Sequence, residues 1–344
     1  MGYRKNYGAV DNFRLAAAFL IVAIHTSPLQ SFSEVADFLV TYCVGRVAVP
    51  FFLMVTGFFV LAPYQKCLRR PMPARERSID KVKKFFMKTA ALYGVAILLY
   101  LPVMVYAKQW NHSFGEWMKE IFFDGTFYHL WYLPAVLMGC LLLMGMMRLC
   151  SPLAISVSVL ALYLVGTAGD SYYLLVSQAP AVKAVYEGIF IVSSYTRNGI
   201  FFAPVFLWLG VLIANGKLEL SAHHAAVGFG VSLVGMLAEG LLTWGMGWQK
   251  HNSMYILLLP VMFFLFEWLL SMEVASSGLL RDASMFIYII HPICIILVRG
   301  AAGALKLEKI LVTQSLVHYL AVCIVSAAIS FAAAKGMQLW KNRT

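Results

Sequence analysis

Apolar stretches about 20 residues long recur along this chain almost from end to end, and about 20 such residues in a helix match the hydrocarbon thickness of a bilayer. No other feature constrains the fold as strongly. With 344 residues, 61% of them apolar and only 12% charged, the composition lies outside that of soluble domains. The expected fold class is all-α, a polytopic membrane protein forming a single transmembrane domain over residues 1–344. Ten membrane helices are expected, over residues 12–30, 35–61, 85–107, 129–148, 153–167, 197–214, 223–244, 254–271, 284–300 and 313–334. A further short helix along the membrane surface is expected over Ser113 to Phe123, where Phe114, Trp117 and Ile121 recur at helical spacing.

The net charge of +11 does not point to nucleic acid, because the basic residues are bunched between apolar stretches rather than interleaved with aromatics. Lys66, Arg69, Arg70, Arg75, Arg77, Lys81, Lys83, Lys84 and Lys88 face only Glu76 and Asp80 across the basic loop 62–88. The positive-inside rule assigns that loop to the cytoplasm, and ten spans then leave both termini cytoplasmic. Arg4 and Lys5 before an apolar run resemble the start of a signal peptide. Arg14 and His25 within that run, and the spans after it, favour a retained first helix. Six scattered cysteines lack metal or redox spacing and read as small buried apolar residues, so no metal is expected.

Within the first helix, Phe13 to His25 reads FRLAAAFLIVAIH. Arg14 and His25 are three turns plus about 20° apart, so they project from one face, separated by about 16 Å along the axis. Arg14 is expected near the cytoplasmic surface and His25 near the middle of the bilayer. Asp11 extends the same face and can hold the guanidinium by a charge-assisted bond. Taken singly, Arg14 could snorkel to headgroups and His25 could be a neutral, hydrogen-bonded core residue. Their shared stripe favours a polar path from the cytoplasm to His25.

Other polar groups recur at matching depths. Arg46, with Pro50 just beyond it to loosen backbone hydrogen bonding, reads as a structural partner or a ligand group. His129 in YHLWYLP, Arg197 and Asn198 in TRNGIFFAP, and His251 in KHNSMY are expected to open helices at the outer face. Helix N-termini favour anions, so these residues could line an outward vestibule. In the ninth helix Ser284, Tyr288 and His291 share a face just before Pro292, and both ligand contact and interhelical hydrogen bonding are open to them. Glu239 and Glu267 read as snorkelling acids.

Arginine, ten residues and histidine in the first span, followed by GRVAVPFFLMVTGFF, HLWYLP, RNGIFF and SMFIYIIHP, resemble the acyltransferase-3 family of integral membrane acyltransferases over nearly the whole chain. Within it, GDSYYLL, TRNGIFFAPVFLWLGVL and KHNSMYILLLP are most similar to the membrane half of the membrane-bound serine racemases of vancomycin-resistance operons. The resemblance implies a bacterial plasma-membrane location, the bilayer as partner, and a choice of activities. In one, an acyl donor, acetyl-CoA or another acyl-CoA, enters from the cytoplasm and its acyl group passes to an acceptor hydroxyl. His25 would then be the general base and Arg14 would position it or the donor; an imidazole pKa of about 6.5 suits that task. The basic loop could attract the CoA phosphates.

In the other activity the membrane half brings L-serine, or another small hydroxyl-bearing acceptor, to a racemase. Its carboxylate would meet Arg46 or Arg197, and its ammonium Asp170 or Glu187. The third possibility is an inactive membrane anchor for a racemase. The chain stops at Thr344, so no pyridoxal phosphate site is expected within it, a cytoplasmic racemase domain is an expected partner at its C-terminus, and a homodimer is open.

Overall fold

The computed structural model describes residues 7–68, 74–109, 112–216 and 220–341, and among them it contains helices and no strand. In chain order the main helices are α1 (Gly8–Thr26), α2 (Glu34–Cys67), α3 (Ala74–Tyr106), α4 (Phe114–Lys119), α5 (Tyr132–Leu149), α6 (Pro152–Ala168), α7 (Pro180–Val192), α8 (Ala203–Ala214), α9 (Ala222–Gly245), α10 (Leu258–Ser271), α11 (Gly278–Leu305) and α12 (Ser315–Lys341). Seven of these, α1, α2, α3, α5, α9, α11 and α12, are long and apolar enough to cross a membrane. The shorter apolar α6, α8 and α10 fall where the other three spans are expected. The chain is a multi-pass, all-helical membrane protein. Arg4 and Lys5, Arg69 and Arg70 of the basic loop, and the last three residues of the tail lie outside the described residues.

The chain divides into two compact units. One comprises Met1–Phe51, Leu220–Leu241 and Leu257–Thr344. Its core joins α1 to α11 and α12 through Ala18, Val22, Ile287, Cys294, Val298 and Val322. Ser276, just ahead of α11, meets Asp11 near the start of α1, while His291 meets His25 near its end, so α1 and α11 run parallel. Ser315 meets Ser31, and Tyr319 meets Phe19, so α12 runs the other way.

Helix α1 ends earlier than the expected residue 30. Ser27 takes the left-handed conformation (φ 48°) and donates its N–H to Ala23 O, and Pro28 cannot extend the ladder. His25 therefore stands in the last turn of α1. The second span is also longer and less regular than expected. A π turn (Leu39–Cys43) and a 3-10 turn (Val44–Val47) precede a regular stretch, in which Pro50 offers no N–H to the carbonyl of Arg46 four residues earlier. Glu239 does not snorkel: it is buried, and its carboxylate accepts the N–H of Leu257 at the entry to α10 (2.9 Å).

The second unit comprises Phe52–Glu219 and Leu242–Ile256. Here α2 and α8 approach through glycine: a Cβ on Gly57 would fall on the backbone of Leu207, and one on Gly210 on the backbone of Met54. Close backbone approach at small residues of this kind helps hold helices together where lipid removes the hydrophobic drive. Helix α8 is only about 18 Å long, and most of it is buried.

Three expected helix starts are corrected. Helix α5 begins at Tyr132, α8 at Ala203 and α10 at Leu258, so His129, Arg197, Asn198 and His251 lie in non-helical approach segments. Helix N-termini do not hold these side chains. The region from Asp170 to Glu187, between two of the expected spans, contains part of α7. Ser113 caps α4 in a reciprocal capping box with Glu116, and a π turn (Glu120–Asp124) completes the surface segment. All six cysteines are free thiols; Cys150 is exposed and Cys67 half-buried, unlike the other four.

Candidate functional site

Polar residues singled out in the sequence gather in two clusters, one in each unit. In the first unit they follow the α1–α11 seam. At its N-terminal end Asp11 is buried and makes two contacts: Arg14 Nε lies 3.3 Å from its Oδ1, and Ser276 Oγ donates to its Oδ2 at 2.6 Å. A Cβ on Gly8 would collide with the backbone of Val274 and Ala275, so the segment entering α11 closes directly over the start of α1. Arg14, with 17% side-chain exposure, faces this carboxylate from the next turn of α1.

At the other end His25 and His291 stack, ring centroids 5.2 Å apart and planes 20° from parallel. Pro292 explains how His291 is held. A proline at that position has no N–H for the carbonyl of Tyr288, and His291 Nδ1 lies 2.9 Å from that oxygen and 3.2 Å from Ile287 O. A carbonyl can only accept, so Nδ1 carries the hydrogen, and in the neutral ring Nε2 is left as the acceptor nitrogen. The proline that breaks the ladder thus fixes the tautomer of the preceding histidine. His291 itself is fully buried.

The turn bearing Arg46 lies against this end of α1: a Cβ on Gly45 would come 2.8 Å from Ile24 Cγ1. Its guanidinium sits over the Tyr42 ring at 5.2 Å. The buried Ser284 hydroxyl donates to Arg281 O within its own helix (2.9 Å). Tyr288, also buried, contributes its carbonyl to His291.

In the second unit Arg197 donates through Nη1 to Ser253 Oγ (3.2 Å), and its guanidinium lies over Tyr195 (4.2 Å) and Trp131 (5.3 Å). The His251 ring packs on Tyr195 with centroids 4.5 Å apart. His129 is buried among Tyr100, Phe127 and Tyr128, held by ring edges. Asn198 has a structural occupation: its Oδ1 accepts from Ile200 N and Phe201 N, and its Nδ2 donates to Tyr195 O and Ser193 Oγ. Those four bonds use the amide's main capacity.

Asp170 is similarly committed. It is fully buried, its Oδ1 accepts from Ser253 N (2.7 Å), Met254 N (3.0 Å) and Ser171 Oγ (3.1 Å), and its own carbonyl accepts Lys250 N. It organises the segment before α10. Glu187 is exposed and pairs with Lys183 on α7. Among the described residues no group of three or more His, Cys, Asp or Glu could hold a metal ion.

Sequence reasoning missed Ser276, Tyr42, Tyr195 and Trp131. Only Pro292 carried a local signal, since a proline after histidine frees a carbonyl within reach of the ring.

A family model described as an acyltransferase domain, of the acyltransferase-3 type, matches residues 7–335. Among curated relatives, an "Amino-acid racemase" of Enterococcus faecalis is 38% identical over 335 residues, 96% of this chain and 45% of the relative. A "Serine/alanine racemase" of Enterococcus gallinarum is 36% identical over 326 residues, 94% of this chain and 45% of the relative. The chain thus spans about half the length of the curated relatives it matches. No solved structure matches.

Proposed function

Since this chain belongs to the acyltransferase-3 family, we propose that it is the membrane part of a serine-racemase-type protein and that it handles L-serine at the His25 end of α1. The observation that carries this reading is the histidine pair beside the turn bearing Arg46, which brings a guanidinium and two imidazoles into one compact unit. A guanidinium suits the serine carboxylate by a two-pronged bond, and an imidazole nitrogen suits its hydroxyl. The relatives' names supply the substrate class, and the larger relatives supply the idea of a cytoplasmic racemase that receives the amino acid. In this reading both termini are cytoplasmic, the membrane is the bacterial plasma membrane, and the D-serine formed enters cell-wall precursors that confer vancomycin resistance.

Acyl transfer is the second reading, favoured by the fixed tautomer of His291 stacked on His25. Here the acceptor hydroxyl attacks the thioester carbonyl of acetyl-CoA or another acyl-CoA. The C–S bond breaks as the ester C–O bond forms, and the hydroxyl proton passes through His25 to the departing thiolate. Arg14, braced by Asp11, is the group on the same stripe for positioning the donor. A third reading, an inert anchor, leaves both histidines without a task.

Labelled L-serine uptake into vesicles containing the protein tests the first reading, and hydrolysis of acetyl-CoA by purified protein tests the second. The anchor reading stands only if neither activity is detected.

A further inference from the structure

Two ammonium groups of the second unit converge on one residue of α7. Lys119 of α4 donates through Nζ to Phe190 O (2.9 Å), while Lys250 Nζ lies over the Phe190 ring, 3.2 Å from its centroid, and 5.2 Å from that of Tyr173. A carbonyl and a ring face attract a cation without cancelling its charge. The two charges act on each other: burial first, and then the charge of Lys119, hold the Lys250 ammonium below its ordinary value. The acids of the surrounding elements are used elsewhere. Glu116 accepts Ser113 N, Glu120 pairs with His112, Asp124 accepts from Ser193 Oγ and Ser194 N, Asp170 holds Ser253 and Met254, and Glu187 pairs with Lys183. Among the described residues neither Lys119 nor Lys250 makes an ion pair.

Helix α7 adds an apolar surface next to this charge. Its 13 residues make a rod about 20 Å long, too short to cross a hydrocarbon layer of about 30 Å. Val182, Val185 and Val192 are exposed, and at helical spacing they fall within about 80° of one another. Lys183 and Glu187 project from the other side and pair there, and Tyr186 is buried against the unit. A short helix with one apolar exposed face suits the boundary between headgroups and acyl chains.

We propose that Lys119 and Lys250, together with the exposed valine face of α7, form a binding site for an anionic phospholipid. The headgroup phosphate meets the two ammonium groups, and an acyl chain lies along Val182, Val185 and Val192. Two of the three Lys119 N–H groups remain for the phosphate oxygens after the bond to Phe190 O. A single anion between the lysines relieves their repulsion, and a phosphate tethered to acyl chains satisfies the valine face as well. The site is independent of the His25–His291 pair and of which activity that pair performs.

The test is native mass spectrometry of the purified full chain in detergent, titrated with phosphatidylglycerol, with zwitterionic phosphatidylcholine, or with inorganic phosphate. Phosphatidylglycerol should bind at least about tenfold more tightly than phosphatidylcholine, and Lys119→Gln or Lys250→Gln should each weaken it about fivefold. Lys250 is exposed, so Lys250→Gln decides the matter where Lys119→Gln, which loses the bond to Phe190 O, fails to fold. Val185→Asn should weaken both lipids. Lys183→Gln, on the same helix but paired with Glu187, should change phosphatidylglycerol binding less than about twofold. Inorganic phosphate at the same concentration should not displace phosphatidylglycerol. The proposal is overturned if the two lipids bind alike, if folded Lys250→Gln or Val185→Asn binds phosphatidylglycerol like the wild type, or if Lys183→Gln costs as much as Lys250→Gln. Displacement by an equal concentration of inorganic phosphate would overturn it too, by making the ligand a free anion.

Discussion

The rings of His25 and His291 lie nearly parallel, with centroids 5.2 Å apart, although 266 positions separate them in the chain (291 − 25 = 266). Parallel packing of α1 on α11 brings them together, and the carbonyl that Pro292 leaves vacant orients one of them. That relationship joins the fold to the chemistry, and it can be taken apart by substitution.

His291→Ala removes the donor to the buried Tyr288 carbonyl, while Pro292→Ala gives that carbonyl a backbone N–H of its own. The two changes should therefore couple. We expect His291→Ala to be less destabilising by about 1 kcal/mol when Pro292→Ala is already present. A double-mutant cycle of detergent-solubilised protein, followed by thermal unfolding, measures this; strict additivity would mean that the bond contributes nothing.

Helix α2 meets α8 at two glycines, each placed where a Cβ would strike the facing backbone. Backbone cannot step aside as a flexible side chain can. Gly57→Ala and Gly210→Ala should each cost about 3 kcal/mol or more. Gly94→Ala and Gly145→Ala, where an added Cβ meets nothing within 4 Å, should be neutral or stabilising by up to about 1 kcal/mol. Melting temperatures of the four variants separate close helix approach from simple helix propensity.

The surface segment should show two opposite pH dependences. Burial raises the Glu120 carboxyl above its ordinary value of 4.5, against the pull of His112 at 3.0 Å. Hydrogen bonds from Ser113, backbone first, lower that of Glu116. A raised carboxyl pKa lets the folded state bind more protons than the unfolded one, so that contribution falls as pH rises from about 4.5. A lowered one gives stability that is present above the unfolded pKa and lost as pH falls through the folded one. Glu120→Gln should thus stabilise more at pH 7 than at pH 4, and Glu116→Gln should destabilise at pH 7 with a smaller effect at pH 4, as read from melts at the two values.

Asn198→Ala breaks four hydrogen bonds that shape the approach to α8. It should cost about 2–4 kcal/mol. Because its amide is committed to the fold, L-serine affinity per folded molecule should change less than twofold. A tenfold loss of affinity in well-folded protein would return Asn198 to the binding residues.

The spans were legible because their signal is length and apolarity, which the bilayer requires whatever the helices pack against. Helix starts were less so. His129, Arg197 and His251 stand three to seven residues before helices that begin at Tyr132, Ala203 and Leu258, and hydropathy counts an apolar residue alike in helix and in irregular backbone. The irregular stretches survive because Asp170, Asn198 and Glu239 satisfy their backbone N–H groups. Asp11 beside Arg14 followed from local spacing, whereas the partners Ser276 and His291 depend on which helix packs on α1. Nothing within one helix encodes that neighbour.

The account rests on the histidine pair as the place where serine is handled. The most direct measurement is accumulation of labelled L-serine by vesicles containing wild-type protein, His25→Ala or His291→Ala at equal folded content. We predict uptake by the wild type and a loss of at least tenfold in either variant. Wild-type vesicles that do not accumulate serine, or histidine variants that accumulate it at the wild-type rate, would contradict the account.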